Sequence, residues 1–161
     1  MAHHATIRFL LLFIFAGAAF AAPGDEEPAG PDPDYSRGVA AVEAKDWNTA
    51  IRLLSSASLR DTRNAEIQNY LGYSYRNSGE LSHAFKHYAR ALQLNPRHRG
   101  AHEYLGEAYL MIGNAAKAEE HLELLKKICL IPCAETGQLE KRIADYRLKG
   151  RLSLPPRDLS H

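Results

Sequence analysis

Leu71-Gly72-Tyr73-Ser74-Tyr75-Arg76-Asn77-Ser78-Gly79-Glu80-Leu81-Ser82-His83-Ala84 sets the frame of the whole chain. Gly72 has counterparts 34 residues away on either side, Gly38 and Gly106, and Ala84 has counterparts at the same step, Ala50 and Ala118. Two small-residue positions repeating in one register mark a stacked array, and a period of about 34 residues is that of a two-helix unit. A glycine on one helix facing an alanine on the next lets two backbones approach closely, with Leu71, Tyr75 and Tyr88 filling the space around them. The spacing therefore predicts antiparallel helix pairs in an all-α chain. Asn77-Ser78-Gly79-Glu80 and Met111-Ile112-Gly113-Asn114 place a glycine where the first helix of a pair must end in a left-handed residue, and Lys45 takes that place in the first repeat. Asn95-Pro96 stops the second helix of the middle pair, because the residue before a proline is pushed out of the helical region.

The repeat windows run 31 to 64, 65 to 98 and 99 to 132. In the middle one Leu71, Gly72, Tyr75, Ala84, Tyr88, Ala91 and Pro96 stand at positions 7, 8, 11, 20, 24, 27 and 32. This pattern resembles the tetratricopeptide repeat family at nearly every signature position. The third window keeps Leu105, Gly106, Tyr109, Ala118 and Leu122, with Leu125 where a small residue is usual. The first keeps Gly38, Ala41, Ala50, Leu54 and Ala57, with Arg37 where leucine is typical. The resemblance covers about 99 of the 161 residues. It implies a right-handed α-solenoid of three helix-turn-helix repeats, residues 35–133.

The flanks read differently. Arg8 precedes the apolar run Phe9 to Phe20, and Ala19-Phe20-Ala21 has the small-x-small form of a signal-peptidase site, so residues 1–21 are expected to be a cleaved secretory signal. The run is shorter than the roughly 20 residues of a membrane-spanning helix; an uncleaved anchor is the alternative, and the absence of a cysteine after the run argues against a lipoprotein. Residues 22–34 are acidic and rich in proline and glycine, the composition of a disordered linker. Leu139, Ile143 and Tyr146 recur at helical spacing, which predicts a capping helix over 134–149 with no functional role of its own. Residues 150–161, with Pro155-Pro156, read as a loose tail. The net charge of +1 becomes zero without Arg8, which speaks against a general nucleic-acid or anionic-membrane binder. The cationic stretches Lys126-Lys127 and Lys141-Arg142 read as solvated helix faces.

Cys129 and Cys133 are the only two cysteines. In an exported protein they meet an oxidising compartment, and with Pro132 ending the helix before Cys133 they are expected to form a disulfide. Free or redox-active thiols and metal binding are the alternatives. The chain is similar to small secreted bacterial repeat proteins in ending on such a pair and a short helix. His83, His87 and His121 fall where they could share one outer surface; a polar convex face is expected rather than a metal site, and His98 and His102 are read in the same way. The sequence has no Gly-x-Ser-x-Gly, no phosphate-binding glycine loop and no His-Glu-x-x-His, so neither catalysis nor a cofactor is expected.

The family resemblance implies a concave groove lined by positions 2, 5, 9, 12 and 13 of each first helix. In the two best repeats these are Glu66, Asn69, Tyr73, Arg76, Asn77, Glu103, Glu107, Leu110 and Met111. Members that bind chaperones clamp a terminal carboxylate with lysine, asparagine and arginine; Tyr35, Val39, Tyr70, Gly100 and Tyr104 occupy those positions here, so the clamp is missing. The expected job is a noncatalytic periplasmic or secreted scaffold or adaptor in the assembly of envelope or exported proteins. Its partner would be an extended segment or helix, with Tyr73 stacking, Asn69 and Asn77 bonding its backbone, and Arg76 engaging a carboxylate. A thiol-disulfide or metal-handling protein using Cys129 and Cys133 or the histidines is the alternative.

Overall fold

In the computed structural model the described residues are 30 and 32–152; the expected signal peptide, most of the linker and residues 153–161 lie outside them. Seven helices follow one another among the described residues: α1 (Pro33–Glu43), α2 (Trp47–Arg60), α3 (Ala65–Asn77), α4 (Leu81–Leu94), α5 (Arg99–Met111), α6 (Ala115–Ile128) and α7 (Ala134–Leu152). The fold is an all-α helical-repeat solenoid in which α1 pairs with α2, α3 with α4 and α5 with α6, while α7 packs on α5 and α6.

The 34-residue register has a packing cause at each step. Ala50, Ala84 and Ala118 are fully buried. A Cβ added at Gly72 would stand 2.6 Å from the Tyr88 ring, and one at Gly38 would stand 2.8 Å from Leu54 Cγ. The third repeat departs from this: a Cβ at Gly106 would meet Leu139 of α7 at 2.7 Å. Leu139 and Ile143 lie 34 residues beyond Leu105 and Tyr109, so α7 takes the place that the first helix of a fourth repeat would have. Leu125, the large residue at a usually small position, is buried in one cluster with Leu122, Leu139 and Ile143.

Helix starts are capped by side chains that accept backbone N–H bonds: Asp46 for α2, Asn64 for α3, His98 for α5 and Asn114 for α6. The acidic stretch ahead of the repeats is ordered further than its composition indicated. Pro33 and Asp34 belong to α1, and Asp32 caps it, accepting from the N–H groups of Asp34 and Tyr35. A proline at the first helical position costs nothing, because that N–H has no partner in a helix. Arg60 then donates to Asp32 at 2.7 Å and to Asp34 at 2.8 Å, and its hydrogen bonds hold both carboxyls below the usual carboxylate range. At the other end, α7 runs to Leu152, three residues past the expected boundary at 149.

α6 ends at Ile128 with Cys129 as its extended C-cap, so the helix stops before Pro132 has any part in it. A disulfide joins Cys129 to Cys133, whose Cα atoms are 5.9 Å apart, and α7 starts at the next residue. The closed loop holds Leu130 and Ile131 out in solvent.

At the turns, Gly79 and Gly113 take φ of 90° and 79°, and Lys45 takes φ of 58° at the matching place. A left-handed conformation costs a side-chain-bearing residue roughly 1 to 2 kcal/mol, of which the greater unfolded-state freedom of glycine would offset roughly half to one. Lys45→Gly is therefore expected to raise stability by about 0.5 to 1 kcal/mol, measured by urea denaturation; a loss of stability would show that Lys45 makes a compensating contact.

Candidate functional site

The first helix of each pair, together with α7, lines one face of the molecule, and three cavities open along it. The largest, about 790 Å³, lies where α3, α5 and α7 begin and is lined by Glu66, Asn69, Tyr70, Glu103, Tyr104 and Glu135 among others. A second, about 410 Å³, lies where α3, α5 and α7 end, between Asn77, Leu110, Met111, Arg142 and Tyr146. The third, about 270 Å³, is aromatic: Trp47, Tyr70, Tyr73 and Tyr104 with Val42.

An aromatic row runs through the middle of this face. Trp47 meets Tyr73 edge-on at 6.0 Å between ring centroids, Tyr73 meets Tyr104 at 4.8 Å, and Tyr35 meets Tyr70 at 6.2 Å. The Arg76 guanidinium lies 5.2 Å from the Tyr73 ring centre and 5.6 Å from that of Tyr104, within cation–π range. These rings are only half-buried, so each keeps an open side. An adjacent set of half-buried, mutually braced aromatics offers contact area with little side-chain freedom left to lose.

Beneath the row sits a charged knot. Arg76 donates from Nη1 to Glu107 Oε2, and Arg142 donates from Nε to Glu107 Oε1 at 3.0 Å. Arg76 and Glu107 are both about nine-tenths buried. The expectation that Arg76 engages a partner's carboxylate is corrected here: the carboxylate it holds is the chain's own. Glu107 likewise has both oxygens in use, and it ties α5 to α3 through Arg76 and to α7 through Arg142. Arg142, read from sequence as part of a solvated face, is the third member of the knot.

Asn69 and Glu103 differ from the rest. Both are almost fully buried, 3% and 2% exposed, and Asn69 Oδ1 and Glu103 Oε1, like Arg76 Nε and the Tyr88 hydroxyl, have no hydrogen-bond partner among the described residues. Burial, reinforced by the Glu107 and Glu135 carboxylates, drives the Glu103 carboxyl up to about 7 against the pull of Arg76 and Arg142. Glu66 accepts from His98 Nε2 at 2.6 Å, since Nδ1 of that ring already accepts the Ala101 N–H. Asn77 is exposed and donates one amide hydrogen to the Tyr73 carbonyl at 2.8 Å, leaving its oxygen open. Leu110 is half-buried and Met111 is exposed.

The histidines sort differently from the uniform polar surface expected of them. His83 and His87 stack on Tyr75 with ring centroids 5.0 and 5.2 Å apart, and His121 stacks on Tyr109 at 5.6 Å. His102 is buried rather than solvated. Its Nε2 donates to the Pro96 carbonyl at 3.0 Å, so its Nδ1 accepts from His121 Nδ1 at 2.9 Å. Burial lowers the pKa of both, that of His121 to about 4. A polar side chain that is buried needs a partner, and His87, His102 and His121 find theirs inside the fold, whereas His83 stays exposed as expected.

With this geometry in hand, comparison with known proteins decides the family. The tetratricopeptide repeat profile matches residues 65–98, and a second tetratricopeptide repeat profile matches 84–129. Residues 65–129 are tetratricopeptide repeats. The fold of the chain is similar to the tetratricopeptide repeat domain of Sgt2 from Aspergillus fumigatus, with a TM-score of 0.67 and 24% identity over 80% of this chain and 89% of that one. It is also similar to the Yersinia enterocolitica type III secretion chaperone SycD in complex with a peptide of the translocator YopD. There the TM-score is 0.62 and the identity 18% over 74% of this chain and 90% of that one. In sequence it is 28% identical over 110 residues to the Drosophila melanogaster protein O-mannosyl-transferase Tmtc3, a match covering 68% of this chain and 12% of that protein's length.

Two contributors to the tetratricopeptide groove were missed in the sequence. Trp47 starts α2, off the groove-lining positions, and its only signal was being the sole tryptophan, placed directly after the first turn. α7 was read as a cap alone, although it supplies Arg142, Asp145, Tyr146 and Lys149 to the second cavity. The 34-residue step from Leu105 to Leu139 could have revealed it.

Proposed function

We propose that this chain is a noncatalytic adaptor that grips a segment of another protein on the face lined by α1, α3, α5 and α7. The observation that carries the reading is the braced aromatic row Trp47–Tyr73–Tyr104, whose rings are only half-buried. Tetratricopeptide repeats are typically interaction modules, and the similarity to SycD bound to a YopD peptide supports the same use of the groove here. The bound segment stacks on Tyr73 and Trp47, hydrogen-bonds to Asn77, and fills the space between Leu110 and Met111 with an apolar side chain.

We further propose that the adaptor works in a bacterial periplasm or outside the cell, in assembly of envelope or exported proteins. Arg8 with the apolar run ending at Ala21 and the oxidised Cys129–Cys133 pair both support export. No described helix is long and apolar enough to cross a membrane. N-terminal sequencing of native protein tests this: a chain starting near Ala22 supports export, and one starting at Met1 or Ala2 contradicts it.

Groove binding is tested with the partner captured by crosslinking. Tyr73→Ala and Trp47→Ala should each weaken binding by about 1 to 2 kcal/mol while leaving the protein folded. Wild-type affinity in both, with binding abolished by His83→Ala and His87→Ala on the outer face, would place the contact elsewhere.

A further inference from the structure

We propose that the cavity where α3, α5 and α7 begin is a subsite for a positively charged group, a guanidinium or ammonium carried by the segment that lies in the groove. The proposal rests on the groove reading above and adds what one part of the groove selects. Its basis is a pair of buried acceptors with no donor among the described residues: Asn69 Oδ1 on α3 and Glu103 Oε1 on α5. Buried polar atoms are rarely left without a partner, and two acceptors on residues that line one cavity call for a group rich in N–H donors.

The surroundings favour a cation over a neutral donor or an anion. On α3 the rim carries Glu66, whose carboxylate is half exposed, and on α7 it carries Glu135. Three of the arginines nearby are directed elsewhere, Arg76 and Arg142 to Glu107 and Arg97 to the Ile128 carbonyl at 3.3 Å, while Arg99 lies 3.5 Å from Glu135 and offsets part of that rim charge. Arg63 remains at the exposed edge. Helix N-termini ordinarily attract anions, but two of the three here are closed by the chain's own side chains. Asn64 accepts from Glu66 and Ile67, and His98 from Ala101. Tyr70 and Tyr104 also line the cavity, and aromatic rings suit a planar cation.

Such a subsite has a characteristic pH dependence. The groups that act on Glu103 or share its cavity are Glu66, Tyr70 and Arg76 from α3, Arg99, Tyr104 and Glu107 from α5, Glu135 and Arg142 from α7, and Asp61, Arg63, Arg97 and His98 from the turns before α3 and α5. The net result is a carboxyl that ionises at about 7 in the empty site. A cation binds the ionised form and expels the proton, so its affinity rises with pH up to about 7 and then levels off. An anion would need the protonated acid as donor and would show the opposite trend.

The test uses methylguanidinium chloride as probe on ¹³C-labelled full-length protein, following the Glu103 carboxyl resonance by NMR at matched ionic strength, with sodium acetate as the anionic probe. The expected result is a saturable shift with methylguanidinium, about tenfold weaker at pH 6 than at pH 8, and no saturable response to acetate. Glu103→Gln, which keeps the shape and loses the charge, should abolish the response, read then from the Asn69 amide; Asn69→Leu should weaken it several-fold. If either variant fails to fold, the pH trend in the wild-type protein decides. A saturable response to acetate, an affinity that falls as pH rises, or no saturation by methylguanidinium overturns the proposal. If only this titration fails while Tyr73→Ala still impairs partner capture, the cationic subsite is gone and the groove reading stands; if Tyr73→Ala and Trp47→Ala are both silent, the groove reading itself is lost.

Discussion

Glu107→Ala should destabilise the protein by about 3 to 5 kcal/mol, the cost of stranding a buried charge by removing its partner. Arg76 would be left about nine-tenths buried without its carboxylate, and Arg142 would lose the contact that draws α7 toward α5. Removing Arg142 instead should cost no more than about 1 kcal/mol, because that side chain is largely exposed and its pairing is screened by water. Replacing both members of the buried pair, Arg76→Leu with Glu107→Leu, should recover much of the loss, since no buried charge then lacks a partner. Urea denaturation of the four proteins checks the order. If Glu107→Ala cost no more than Arg142→Ala, the pair would be a surface feature, and Arg76 would be free to bind a partner after all.

Gly72→Leu should be similarly damaging, at about 3 kcal/mol or more, the upper part of the overpacking range. The first added carbon already falls 2.6 Å from Cδ1 and Cε1 of Tyr88, a ring with no exposed surface and so no room to swing away. Gly72→Ala relieves a poor helix former, which favours it by about 1 kcal/mol. The clash offsets that gain, so a net loss of up to about 2 kcal/mol is expected. Gly106→Ala should be milder, since the neighbour there is the flexible end of Leu139. Combining Gly72→Ala with Tyr88→Leu should cost less than the sum of the two single changes, because they share one contact. Thermal unfolding of Gly72→Leu within about 2 °C of wild type would contradict the packing register.

The repeat was legible because close helix packing demands residue types that can be seen in one dimension. Gly72 and Ala84 have no substitutes at those contacts, so the period shows even where Arg37 and Leu125 depart from the pattern. Positions in the groove were legible only as positions. Asn69, Tyr73 and Glu103 line the groove, but the spacing could not say that Arg76 and Glu107, 31 residues apart, neutralise each other. That pairing depends on how far α3 and α5 are rotated, which the packing of Tyr88 and its neighbours sets and no local pattern records. The same holds for His102 and His121, which look like ordinary surface histidines until the fold puts their rings 5.2 Å apart. The acidic residues at the start of α1 misled for a different reason. Asp32, Pro33 and Asp34 have the composition of a linker and also the order of a helix start, and Arg60, 26 residues beyond Asp34, decides between the two.

The central claim, that the braced aromatic face receives the partner, is tested most directly by position-specific photocrosslinking in cells that express the protein. A benzophenone side chain would replace Asn77 or Met111 at the groove, or Lys86 or Glu120 on the exposed surfaces of α4 and α6. The account predicts that the same partner segment is crosslinked from positions 77 and 111 and is lost from both when Tyr73 is also changed to alanine. Crosslinking of that partner from positions 86 and 120, with none from 77 and 111, would contradict it.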